Sequence, residues 1–241
     1  ALSVLAAPSI AVTADSGAIL DHSISEDANI IGTSAVLTAA TAIGAAGAGD
    51  IDTDLASISA TAADGVFIEE VDELTISGSG IFASGPNAAV SVVVSAGTLT
   101  VDADVATAGD GGVLLLASGD VVQNADIFAA GGGIGLESAT GSIVMADGTV
   151  TELADGNIRY AGGQNVTLSG LNAGVGDVIV TAIGGVIDGG ESLQDVTAAN
   201  GRLVISAGTG IGVAGPFGAL EITAASADME NTASGGIDIT E

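Results

Sequence analysis

Asp50-Ile-Asp52-Thr-Asp54 sets three carboxylates at every second position. On an extended backbone alternate side chains share a face, so these three can converge on one hard cation, as carboxylates do in calcium loops. The run lacks the glycine and the closing glutamate of an EF-hand loop. A denser acidic run follows at Glu69-Glu70-Val-Asp72-Glu73. Ca²⁺ is the cation that Asp50, Asp52, Asp54, Glu69, Glu70, Asp72 and Glu73 would hold. The alternative is that both runs are solvated acidic loops. No Gly-Gly-x-Gly-x-Asp nonapeptide recurs, which argues against the RTX type of calcium solenoid.

Residues for covalent or acid–base catalysis are scarce. His22 is the single histidine, so a histidine-based triad could run only through it, and no serine or aspartate beside it has a motif context. The glycine-rich segment Ala129–Leu136 has phosphate-loop spacing but no helix after it, and reads as a corner. Arg159-Tyr160 is the one cation–aromatic neighbour pair; it could touch a sugar or another chain, and a local salt bridge is the simpler expectation. Lyases need basic groups to hold an enolate-like intermediate, and this chain has two arginines and no lysine. Glycosidases need converging carboxylates, and their sugar platforms need aromatics; the chain has no Trp and one Tyr. The expectation is a non-enzymatic protein with no cofactor other than calcium. A polysaccharide-degrading enzyme is an alternative.

Composition narrows the partners. The 241 residues carry a net charge of −28. Nucleic-acid binding, which needs Lys and Arg to neutralise phosphates, is excluded, and an anionic membrane surface is disfavoured for the same reason. There is no 18-residue apolar run, so no membrane insertion is expected. The absence of cysteine rules out disulfides and thiolate metal sites. Hydrophobic residues make up 48%, nearly all Ala, Val, Ile and Leu, and there are 38 glycines. That combination suits a narrow interior closed by many tight turns.

The elements that must carry these residues are short strands. Thr98–Val105 alternates cleanly, and Leu74–Ser77, Asn165–Ser169, Asp177–Thr181, Arg202–Ser206 and Leu220–Thr223 follow the same period of two. Gly-Gly, Gly-Asp, Asp-Gly and Asn-Gly turns separate them. The spacing predicts an all-β chain with almost no helix: a single right-handed parallel β-helix (β-solenoid) over residues 1–241, with coils of about 20–25 residues. Roughly 11 such coils would make a rod near 50 Å long. A β-sandwich is the alternative. Outward Thr100, Asp102, Asp104, Glu221 and Asp238 would form a solvated acidic coat.

The chain also resembles itself. Residues 10–47 match residues 178–215 at thirteen of 38 positions without a gap, against roughly four expected from so Ala- and Gly-rich a composition. On this reading residues 1–70 and 167–241 are copies of the same part of a tandem repeat of about 168 residues, and Ile43 and Ile211 occupy equivalent inward positions. Ala1–Ala7 reads as an ordinary interior coil and Gly235–Glu241 ends within a strand. The expectation is that further coils of the same polypeptide, or of another copy, abut both ends.

Thr13–Asp21 and Thr181–Asp188 resemble the "TAxGxIxD" coils of filamentous-haemagglutinin-like giant bacterial surface adhesins, as do Thr209–Gly215, Leu220 and Gly235–Ile239. The resemblance covers nearly the whole chain. It implies a right-handed parallel β-helix exported to the cell surface, with no catalytic residues to carry over. It further implies a structural shaft built of stacked coils, whose partners are copies of itself and host-cell or matrix surfaces. The acidity and the lack of lysine depart from that family. A calcium-dependent surface-layer or matrix protein is the other non-enzymatic expectation.

Overall fold

The structure is a computed structural model that describes residues 2, 4–22, 25–190, 194–215 and 218–241. Its 24 strands lie in one sheet of stacked coils, every strand pairing is parallel, and there is no helix among the described residues. The chain is a β-solenoid of about ten turns. At the spacing of hydrogen-bonded strands this is a rod roughly 45 Å long. Parallel pairing throughout rules out the sandwich, whose sheets are antiparallel.

Each coil has three sides. Ala89–Val94, Leu99–Val101 and Val105–Thr107 form one coil, and Val113–Ala117, Val121–Gln123 and Ile127–Ala129 form the next. On the first side, Ile43, Val66, Val90, Val113, Ile134, Ile158, Val178 and Leu203 stack in register, successive partners standing 20 to 25 residues apart. The second side stacks Leu74, Leu99, Val121, Ile143, Val166 and Val186, and bridges continue the row to Ile211 and Ile237. The third runs Val12, Leu37, Ala60, Ile81, Val105, Ile127, Thr151, Leu171, Val196, Ile222.

Because the pleat has period two, rows that are aliphatic in all coils but one enclose an apolar interior, Thr151 being the polar member. Narrowness favours thin side chains, and Tyr160 is the largest one fully buried. Its hydroxyl sits in a polar plug: it donates to Gln123 Oε1 at 2.7 Å and lies 2.6 Å from Thr151 Oγ1, which accepts from Gln123 Nε2 at 3.0 Å. Burial holds the Tyr160 phenol well above its ordinary pKa.

The acidic coat is more than solvation. At the corners, Asp104 Oδ1 accepts the amide of Asp126 at 3.3 Å, and Asp126 Oδ1 accepts that of Val150 at 2.8 Å. Asp120 likewise takes the amide of Ser142 at 2.7 Å, and Asp177 that of Arg202 at 2.7 Å. Each bond crosses from one coil to the next. Corners interrupt the ladder and leave backbone N–H groups without strand partners. A short carboxylate satisfies them, which explains why so many corners carry Asp.

The two self-similar segments share local shape but not position. Ile43 and Ile211 are both fully buried. Each precedes a glycine with positive φ, +67° at Gly44 and +61° at Gly212. Yet Ile43 stands on the first side, between Ile19 and Val66, and Ile211 on the second, between Val186 and Ile237. The shift holds further along: Thr13 pairs on the third side with Thr38, whereas Thr181 pairs on the first with Ala161. The offset of 168 thus spans seven coils and one side, and the expected equivalence of Ile43 and Ile211 is corrected to the same motif on different sides.

Candidate metal centre

The structure redistributes the seven sequence-predicted carboxylates. Asp50 and Asp52 do converge, together with Glu69, and Glu26 joins them from the preceding coil; one oxygen from each of the four lies within 4.8 Å of the others. Asp54 leaves this group and gathers with Glu70 and Asp72. Glu73 belongs to neither cluster and is exposed. The Asp50-x-Asp52-x-Asp54 spacing therefore does not act as one loop. Ile51 to Thr53 pair with Ile68 to Glu70, which brings Asp52 beside Glu69, while Asp54 lies past the end of that pairing.

Glu26, Asp52 and Glu69 of the first cluster line a recess of about 260 Å³ together with Thr53, Asp54, Val71 and Ser95. Asp52 is 5% exposed. Burial, then the negative charges of Glu26, Asp50, Asp21 and Glu69, push its carboxyl up to about 6. Asp50 is raised as well, by burial first and by Glu69 next. Around the rim, Ser95 Oγ donates to Glu69 Oε1 at 2.6 Å, and Asn29 Oδ1 accepts the amide of Asp52 at 3.1 Å. Four carboxylates with oxygens this close repel one another. Protons or a hard divalent cation relieve the repulsion.

Glu70 has a different role. It is fully buried, at an inward position where its neighbour in the next coil is Val94. Its carboxylate accepts from Thr53 Oγ1 at 2.7 Å, from the Leu55 amide at 3.1 Å and from its neighbour Val71 at 3.0 Å. Burial raises its pKa, and these hydrogen bonds oppose the rise. Glu70 thus ties up amides at a corner of the interior, and its oxygens are already engaged by protein donors.

A third cluster, Asp188, Asp195 and Glu221, was not singled out from the sequence. Glu26 was missed too. Both belong to coil-to-coil neighbourhoods: Glu26 lies about one coil before Asp50, and Asp195 stands opposite Glu221 because Val196 pairs with Ile222. Reading acids at the coil period, rather than as runs, is the signal that finds them.

His22 is exposed, and Arg202 is an exposed corner residue. Arg159 points outward and pairs with Glu137 at 3.1 Å, while Tyr160 points inward, so the two do not stack. Within Ala129–Leu136, residues 130–132 form the corner between the strands Ile127–Ala129 and Gly133–Ser138. Comparison with protein-family models, curated proteins and solved structures gave no match.

Proposed function

We propose that this chain is a stretch of the non-enzymatic shaft of an extracellular bacterial filament or surface adhesin. The observation that supports it most is the third-side row from Val12 to Ile222, in which each residue pairs with its successor in the next coil, the chain absorbing a register shift between Ile58 and Ala60. Such a stack is a uniform, stiff spacer, and any coil of the same geometry extends it, whether from tandem repeats or from head-to-tail subunits. Its partners on this reading are copies of itself and host-cell or matrix surfaces, and His22, Arg159 and Arg202 have no catalytic part. The coil sequences that resemble filamentous-haemagglutinin-like adhesins point the same way.

A second reading, a calcium-dependent surface-layer or matrix protein, draws on the Glu26–Asp50–Asp52–Glu69 cluster. It differs in needing metal for assembly. Electron microscopy of the native material, with and without chelator, separates the two. Thin rods indifferent to chelator support the shaft; rods or sheets that fall apart in chelator support the second reading. Depolymerisation of acidic or neutral polysaccharides by the pure protein, lost in His22→Ala or Arg159→Ala, would overturn both.

A further inference from the structure

We propose that Asp188, Asp195 and Glu221 form a calcium site that closes the corner between the strands Val186–Asp188 and Val196–Ala207. This inference is independent of the shaft reading and uses none of the carboxylates in the first two clusters.

The corner brings acids of two coils together. One coil earlier, the strands Val166–Leu168 and Gly170–Asn172 are joined by Ser169 alone. In the next coil Asp188 ends the strand on the second side, and Asp195 directly precedes the strand Val196–Ala207. Asp188 takes the register position of Leu168, so a carboxylate follows a leucine in an inward row. Glu221 reaches the same point from the coil beyond, where it adjoins the paired Val196 and Ile222. One oxygen from each of the three residues lies within 4.8 Å of the others.

The second observation is a lack of donors. Asp188 is 6% exposed. Its Oδ1 accepts the amide of Gly190 at 2.8 Å, but its buried Oδ2 meets no donor among the described residues. Glu221 Oε2 is buried in the same condition. Elsewhere in the chain corner carboxylates take amides of the next coil, and Asp195 Oδ2 does so here, accepting from Glu221 N at 2.8 Å. Two buried oxygens without donors, beside a third carboxylate, call for a positive charge. Among the described residues the one ion pair is that of Arg159 with Glu137, which lies on the first side of the coil and not at this corner.

Oxygen-only ligands of high charge select a hard cation, and oxygens coordinating calcium stand about 2.3–2.6 Å from it, which the span of the cluster accommodates. The protein would supply three carboxylates and water the remaining ligands. The ion would join Asp188 and Asp195 to Glu221 of the coil beyond, fastening two coils at a point where the backbone ladder is interrupted.

The test uses the full chain, stripped with chelator and titrated with calcium chloride, with magnesium chloride as comparison. Calorimetry reads binding, thermal melting reads stabilisation, and amide exchange reads residues 186–190, 194–197 and 219–223. Calcium is expected to bind, to raise the melting temperature and to slow exchange in those segments. Asp188→Asn, which keeps the acceptor for Gly190, and Glu221→Gln are each expected to weaken the affinity of this site by about tenfold or more. Asp52→Asn, in the other cluster, should leave the slowed exchange at this corner unchanged. Calcium protection of the corner that persists in both Asp188→Asn and Glu221→Gln would overturn the proposal. So would failure of calcium to protect the corner in the unsubstituted protein. A third refuting result is a corner stabilised in calcium-free buffer by either substitution and blind to calcium, which would mean that the carboxylates share protons.

Discussion

Gly44 and Gly212 adopt the same left-handed turn immediately after a buried isoleucine, on two different sides of the coil. At Gly44 an added Cβ would run into the carbonyl oxygen of Phe67, and at Gly212 into that of Asp238. In both places the chain leaves the ladder at the glycine and the carbonyl of the next coil closes over it. What repeats after 168 residues is thus a way of interrupting a side: buried Ile, left-handed Gly, then a loop.

Gly44→Ala and Gly212→Ala should each destabilise the fold. The left-handed backbone alone costs a residue with Cβ about 1–2 kcal/mol, and the carbonyl contact adds to it. For a chain of this size each kcal/mol lowers the melting temperature by about 2–4 °C. Thermal melting followed by circular dichroism checks this. Gly17→Ala, where φ is not positive and a Cβ meets nothing within 4 Å, is the control and should be near neutral.

Glu70 should behave as a structural acid. Glu70→Ala removes the acceptor for Thr53, Leu55 and Val71 and leaves buried donors unpaired, at a cost of about 3 kcal/mol or more. Glu70→Gln keeps one carbonyl oxygen and should lose much less. Chemical denaturation of the two variants tests the ordering; equal losses would mean that charge, not hydrogen bonding, holds Glu70 in place.

Corner aspartates predict a milder pattern. Asp126→Ala frees the Val150 amide and should cost about 1 kcal/mol, whereas Asp126→Asn retains an acceptor and should cost less. Amide exchange at Val150 gives the local readout: faster in Asp126→Ala, close to unchanged in Asp126→Asn. Val150 exchange that stays slow in both would remove Asp126 from this role.

The pH dependence has a definite sign. Asp52 holds its proton up to about 6 in the folded chain, against 3.8 for the ordinary carboxyl. Below the lower value both states are protonated and the contribution to stability is fully present. As pH rises through the upper value it is lost, because the folded state must then ionise a carboxyl inside an acidic cluster. In metal-free buffer the melting temperature should therefore fall between about pH 4 and pH 6.5, a trend that Asp50 and Glu70, also raised, reinforce. Asp52→Asn should flatten the fall and raise the melting temperature at pH 7. A melting temperature rising over that interval would contradict it.

The architecture was legible because it lies in local pattern. Alternation at Thr98–Val105, together with glycine-rich corners, identifies strands, and aliphatics recurring at one coil length identify their stacking. The sides of the coil were not legible. Successive partners stand anywhere from 20 to 26 residues apart, so corner lengths vary and the phase drifts; this is why Ile43 and Ile211, matched by sequence, fall on different rows. The grouping of the acids was hidden for a related reason. Runs along the chain suggested Asp50, Asp52 and Asp54 as one group, but neighbours across coils decide the grouping, and those recruited Glu26 and separated Asp54. Glu70 looked like a surface acid because its three immediate acidic companions in the sequence, Glu69, Asp72 and Glu73, are mostly exposed; only the register of Gly65–Glu70 turns it inward.

Stacking by short coils also bears on how such a chain finds its structure. Parallel sheets are slow to form when their strands are distant in sequence, because a long loop must close before the first pairing is rewarded. Here successive coil partners are separated by roughly one-tenth of the chain, a value typical of fast-folding helical bundles. Once one pair of coils has formed, its outer edge is a template on which the next stretch of about 20–25 residues closes a small loop. Folding of this chain can therefore advance along the rod by accretion, each coil paying a similar small entropy of closure.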